Sequence, residues 1–211
     1  MKSIMMAAQN LMCGHQDVMV AGGMESMSNV PYYLARGQTP YGKVELIDGI
    51  VFDGLTDAYD HIHMTSVVLH CHIVIYFHLG TITAANASTL NDGAAALVLM
   101  TAQAAERLKV KPLARILGIV LERAGIKKED IDMWEINEAF SVVVLANIKE
   151  LDIDINKVNI NGGAVSIGHP IGMSGARITG HMVHSLKPRQ KGMAGICNGG
   201  GGASALLIEK L

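Results

Sequence analysis

The chain has 211 residues and a formal charge of −2, with Lys and Arg scattered along it, so it offers no basic face for nucleic acid. Half of its residues are hydrophobic, only 4% are aromatic and 23 are glycine, a balance that favours closely packed α/β layers of small aliphatic side chains. No apolar run reaches the roughly 18 residues of a membrane span, and Cys13, Cys71 and Cys197 are spaced for neither a disulfide framework nor a zinc site, which fits a reducing compartment.

The start, MKSIMMAAQN, carries Gln9 and Asn10 and no small-residue cleavage site, so a signal peptide is not expected. Ile4, Met5, Ala8, Leu11 and Met12 recur at helical spacing and Gly14 supplies a stop, which predicts a helix over 2–14. Residues 17–23 read as a buried strand ending in glycines. A long loop follows, rich in turn formers and without a clear period through 53–64. Residues 65–79, TSVVLHCHIVIYFHL, read differently from their surroundings: a hydrophobic strand in which His70 and His72 alternate onto one face, with Cys71 and His78 nearby. No carboxylate or further Cys sits at ligand spacing, which argues against a metal there.

Residues 81–93 form a small polar loop leading into a second buried strand, AAALVLM, and a short helix, AQAAERL. Beyond Pro112, LARILGIV is strand-like, LERAGIKKEDI is expected to be a helix, and Met133–Ile136 a strand. NEAFSVVVLANIKEL reads as a strong amphipathic helix, followed by a strand at Val158–Ile160, a helix near Ser174–Leu186 and two strands flanking the last glycine run. This alternation predicts an α/β protein with a largely parallel sheet. A boundary near 109–112 divides it into 1–110 and 111–211.

Two stretches carry the chemistry. NGGAVSIGHPIGMSGAR, over 161–177, holds His169, and CNGGGGAS begins 28 residues after it at Cys197. Glycines let backbone N–H groups approach a ligand oxygen closely, while imidazole and thiol move protons readily near neutral pH. Together with the segments beginning at Lys2, Thr81 and Met133, these stretches resemble the thiolases, and within them the mitochondrial-type acetyl-CoA C-acetyltransferases. NEAF, GHP and CNGGGG in this order distinguish thiolases from ketoacyl synthases, which typically carry a second His where this chain has Cys197.

The resemblance implies a layered αβαβα fold and a Claisen condensation of two acetyl-CoA molecules, or its thiolytic reverse. It assigns His169 to activating the nucleophile and stabilising the enolate oxygen, and Cys197 to removing and returning the α-proton. Asn137 of NEAF would hold a water in the first oxyanion hole, and the Gly199 N–H would serve the second. Ser88 would touch the pantetheine arm of CoA, and the carbonyls of Ala84, Ala85, Ala87 and Val165 would hold a potassium ion. CoA thioesters are the implied substrates, a tetrameric homo-oligomer or an assembly with full-length thiolase subunits the implied partnership, and the mitochondrial matrix the implied compartment.

The chain also departs from the pattern. The thiolase nucleophile lies in a Cys-any-Ser-Gly motif directly before the segment that begins here at Met1, and neither Cys13 nor Cys71 has the helix N-terminal setting that lowers a thiol pKa. The long loop domain expected between His63 and Gly80 is replaced by the unmatched segment 65–79, and LARILGIV joins LERAGIKKED with a further gap. The N-terminal half is therefore expected to be incomplete. Two functions follow: acetyl-CoA C-acetyltransferase by family, or a catalytically inactive remnant that binds CoA or other subunits, with no turnover expected of the chain as written.

Overall fold

A computed structural model describes residues 1–37, 41–64, 82–118 and 121–211; the segment 65–79 with His70, Cys71, His72 and His78 lies outside them. Helix α1 spans Lys2–Met12 and buries Ile4 and Ala7 on one face. Strand β1 (Val18–Glu25) pairs antiparallel with β4 (Gly93–Met100) over eight residues, from Val18 opposite Met100 to Glu25 opposite Gly93. Between them the expected loop holds a short ribbon, β2 (Tyr32–Tyr33) with β3 (Ile47–Asp48).

Helix α2 (Ala102–Leu108) is capped by Thr101, whose hydroxyl accepts from the Ala104 N–H, and it buries Ala104 and Ala105. Strand β5 (Ala114–Gly118) lies at one edge of a four-stranded sheet ordered β5-β8-β7-β6, with β6 at Met133–Ile136, β7 at Lys191–Cys197 and β8 at Ala203–Lys210. The remaining helices are α3 (Leu121–Ala124), α4 (Ser141–Leu151), α5 (Ala164–Ile167) and α6 (Ile171–Ser185).

The four-stranded sheet is buried on both faces, as its apolar strands require. Met133, Ala194, Leu206 and Ile208 point to one core with Met1, Ile4, Ile178 and Met182 of the helices. Trp134, Met193 and Leu207 point to the other, with Ile131 and Val144. Helix α6 packs on β1 and β4 on one side and on β6 and β7 on the other, and α1 shares that middle layer. The chain is thus layered as helix, sheet, helix, sheet. On the outer face of the β1–β4 pair Val20, Met24 and Val98 are exposed.

Three expectations are corrected. The sheets are largely antiparallel: among the described strands, only β6 and β7 pair parallel. Residues 198–202 are too short for the crossover that parallel neighbours need, whereas α4 to α6 provide one between β6 and β7. The helix expected over LERAGIKKEDI stops after four residues, because Gly125 turns to φ +65 and Lys128–Asp130 form a separate tight turn. Val158–Ile160 makes only a single bridge, Val158 to Trp134, since Asn159 at φ +47 bends the chain away.

Candidate active site

Asn137 leaves the C-terminal end of β6, and its N–H donates to the Gly195 carbonyl of β7 at 2.9 Å. Ile136 stands opposite Gly195 in the parallel register, so Asn137 and Cys197 emerge at the same end of adjacent parallel strands. That end is where open α/β sheets gather their ligand sites. Asn137 is not a helix cap: α4 begins only at Ser141. The side chain is buried instead, and its Oδ1 has no hydrogen-bond donor among the described residues. A buried acceptor of this kind is satisfied by water or by a ligand N–H or O–H.

His169 is brought to Asn137 by the loop that precedes α6. The loop turns at Gly168, φ +88, where a Cβ would collide with the Asn91 side-chain amide; the His169 N–H then donates to the Thr89 carbonyl at 3.2 Å. Its ring bridges two elements. Nε2 lies 3.3 Å from Asn137 Nδ2, and Nδ1 lies 2.6 Å from Ser174 Oγ, one turn into α6. The Ser174 hydroxyl donates to the Pro170 carbonyl at 2.8 Å, so its oxygen accepts from His169 Nδ1–H. The Asn137 amide, a donor, faces the Nε2 lone pair. The network thus selects the Nδ1–H tautomer and leaves Nε2 as the basic nitrogen.

Burial lowers the His169 pKa to about 4, reinforced by the Arg177 guanidinium and opposed by Glu25. The ring is neutral near pH 7 and able to take a proton at Nε2. Cys197 is exposed at the end of β7, yet desolvation by the residues around its sulfur raises the thiol pKa, and a neutral His169 has no positive charge to lend it. Cys197 and Asn137 both line a cleft of about 430 Å³ walled by Ile136, Met193 and Ile196.

Gly199 sits in the tight turn Gly199–Gly201 between β7 and β8, closed by the Asn198 N–H donating to the Gly202 carbonyl at 2.9 Å. Ser88 and the alanines share a loop tied to the same NEAF segment: Ser88 N–H donates to the Ala139 carbonyl at 3.0 Å, Ser141 N–H to the Asn86 carbonyl at 2.9 Å, and Ala87 bridges Phe140. Ala84 and Ala85 are exposed. Val165 reaches that segment from the other side, its N–H donating to Glu138 Oε2 at 3.1 Å. Among the described residues no three His, Cys, Asp or Glu side chains converge to hold a metal. A cation here would have to rest on backbone oxygens.

Cys13 follows the last residue of α1, while Met1, at the other end, packs against α6: a Cβ on Gly175 would meet the Met1 nitrogen at 2.1 Å. The helix rise separates Cys13 from that contact by about 18 Å along the axis. Sequence reasoning missed Ser174, Glu135, Glu138, Arg177 and His181. The signal for Ser174 was its spacing of one helical turn beyond the His-Pro pair.

The thiolase N-terminal domain matches residues 1–72 and 72–103, and the thiolase C-terminal domain matches residues 93–210. This chain belongs to the thiolase family. The mouse (Mus musculus) mitochondrial acetyl-CoA acetyltransferase is 53% identical and the human one 51%, each over 298 aligned positions that cover all of this chain and 70% of the relative. Those 298 positions against 211 residues leave 87 with no counterpart here, so the chain is internally shortened relative to them. Among solved structures, the Acat5 thiolase of Ascaris suum in complex with coenzyme A matches at TM-score 0.89 and 37% identity, and human mitochondrial 3-ketoacyl-CoA thiolase at 0.88 and 26%. Each covers all of this chain, which spans 76% of theirs.

Proposed function

We propose that this chain carries the proton-transfer half of an acetyl-CoA C-acetyltransferase site, serving the condensation of two acetyl-CoA molecules or its thiolytic reverse in the mitochondrial matrix. The observation that supports it is the meeting of Asn137 and His169 at 3.3 Å beside the strand end that presents Cys197.

Each residue has a stated task. His169 Nε2, held basic by Ser174, takes the proton of an attacking thiol. The resulting imidazolium then donates to the thioester oxygen as negative charge develops there. Asn137 Oδ1 orients a water beside the same oxygen, and the Gly199 N–H serves the second carbonyl. Cys197, resting as the protonated thiol, gives its proton to the enolate carbon in the thiolytic direction; in the condensing one its proton first passes to the departing CoA thiolate, and the Cys197 thiolate so formed removes the α-proton. Ser88 contacts the pantetheine arm. The carbonyls of Ala84, Ala85, Ala87 and Val165 would hold a potassium ion through their hard oxygen atoms, and the ion would order residues 82–88 against the NEAF segment. The acyl-accepting thiol is none of the described cysteines, because Cys13 lies at the far end of α1 and Cys197 is committed to proton transfer.

That last observation favours a second reading, a catalytically silent thiolase chain that joins homo-oligomers or full-length subunits. Incubating the purified chain with acetoacetyl-CoA and CoA separates the two. Acetyl-CoA formed by the chain and lost in Cys197→Ala supports the enzyme; no product, with co-elution alongside full-length thiolase, supports the silent subunit.

A further inference from the structure

Behind the candidate site, on the same face of β6 as Asn137, Glu135 is 3% exposed, and residues two apart on a strand share a face. It lines a second cavity, of about 230 Å³, with Asn137, Asn159, Asn161, Arg177 and His181. Glu135 Oε1 lies 3.1 Å from His181 Nδ1, without the alignment of a hydrogen bond. Arg177 and His181 are four apart on α6 and so lie on one face of it, and Arg177 is attracted by both Glu135 and Glu138.

These two α6 side chains hold opposite ends of one loop. His181 Nε2 accepts from Asn161 Nδ2 at 3.0 Å, at the start of the loop. Arg177 Nη1 donates to the Gly168 carbonyl at 2.8 Å, at the residue just before His169. Midway, Glu138 accepts from the Val165 N–H at 3.1 Å and from Asn159 Nδ2 at 2.8 Å. We propose that Glu135 is a positioning residue, the buried anchor through which Arg177 and His181 clamp both ends of the 161–168 loop and thereby set the His169 ring against Asn137.

The chemistry of the cluster fits this task. Glu135 touches neither His169 nor the cleft of Cys197, so it acts only through α6. A carboxylate placed where desolvation disfavours it is a poor choice for stability alone, and an apolar residue of similar volume would pack there at lower cost. The groups facing Glu135 are His181 and Arg177 from α6 and Glu138 beyond the end of β6, and its carboxyl is raised to about 7, chiefly by burial, with Arg177 opposing and Glu138 adding to the rise. Above that value it is ionised and attracts Arg177, which lines the same cavity, most strongly.

The proposal rests on the reading of His169 as a site residue, but its test does not require turnover. Nitrogen-15 spectra of the His169 ring and amide exchange along 161–169 are to be recorded at pH 8 on the whole chain and on Glu135→Gln, Arg177→Gln and the double variant. The expected result is a mixed ring tautomer and exchange about tenfold faster at Gly168 and His169 in each single variant, with the double variant no worse than either, as for residues acting as one unit. Exchange in β7 and β8 stays unchanged. Should Arg177→Gln not fold, Arg177→Lys, which keeps the charge but loses the fork, supplies the same two readings. An unaltered ring tautomer with unaltered exchange, or losses that add in the double variant, would overturn the clamp. Absence of acetoacetyl-CoA turnover would count against the function and leave these readings intact.

Discussion

His169 Nδ1 and Ser174 Oγ stand 2.6 Å apart, and because the serine hydroxyl is spent on the Pro170 carbonyl, the contact fixes which ring nitrogen is basic. Ser174 is fully buried. Replacing it with Ala strands a buried N–H, at a cost of about 1–3 kcal/mol, and releases the tautomer. Ser174→Ala is expected to lose thermal stability and to show mixed tautomers in nitrogen-15 spectra, whereas Ser174→Thr retains the single one.

The pH dependence of stability should show two opposing contributions. His169 has its folded pKa lowered to about 4 from 6.5. The unfolded chain therefore binds more protons between those values, and stability is lost as pH falls from 6.5 towards 4. Glu135 is raised from 4.5 to about 7, so the folded chain binds more protons there and stability is lost as pH rises from 4.5 through 7. Urea unfolding should find Glu135→Gln more stable than the parent at pH 8, by on the order of 2–3 kcal/mol, and indistinguishable from it near pH 4. A Glu135→Gln chain that is weaker at pH 8 contradicts the desolvation argument.

Cys197 is expected to be a slow thiol. With burial raising its pKa, peptide mapping after iodoacetamide treatment should show little labelling of Cys197 at pH 7 and a rate that climbs only above the ordinary thiol range. Fast labelling at pH 7 would place a positive charge beside the sulfur that the described residues do not supply.

Gly168 at φ +88 turns the chain into His169 with Asn91 against it. Gly168→Ala meets both backbone strain, about 1–3 kcal/mol, and the Asn91 side chain. A lowered melting temperature and a displaced His169 resonance are expected, while Gly180→Ala, in open space on α6, should be neutral or stabilising.

The legible parts of the sequence were those whose periodicity agreed with burial. Short apolar runs set between turn or helix signals announced Met133–Ile136 and the final strand correctly, and the NEAF, GHP and CNGGGG motifs drew attention to Asn137, His169 and Cys197. Pairing direction was not legible, because it depends on which strands become neighbours and on how many residues join them. Gly125 was legible as lying near a helix end, and the helix does stop just before it at Ala124; the separate turn at Lys128–Asp130 was not legible, because its residues are as compatible with a helix as with a turn. Ser174, Arg177 and Glu135 escaped notice for a different reason: each matters through what it touches across the sheet and α6, and a one-dimensional pattern carries no such contact.

If His169, Asn137 and Cys197 form a working proton-transfer site, acetyl-CoA incubated with the chain in D₂O exchanges its acetyl methyl protons, a reaction that proton NMR follows and that does not require an acylated cysteine. Exchange well above buffer is expected, lost in Cys197→Ala and in His169→Ala. Exchange no faster than buffer, or exchange that survives Cys197→Ala, would overturn the proposed site.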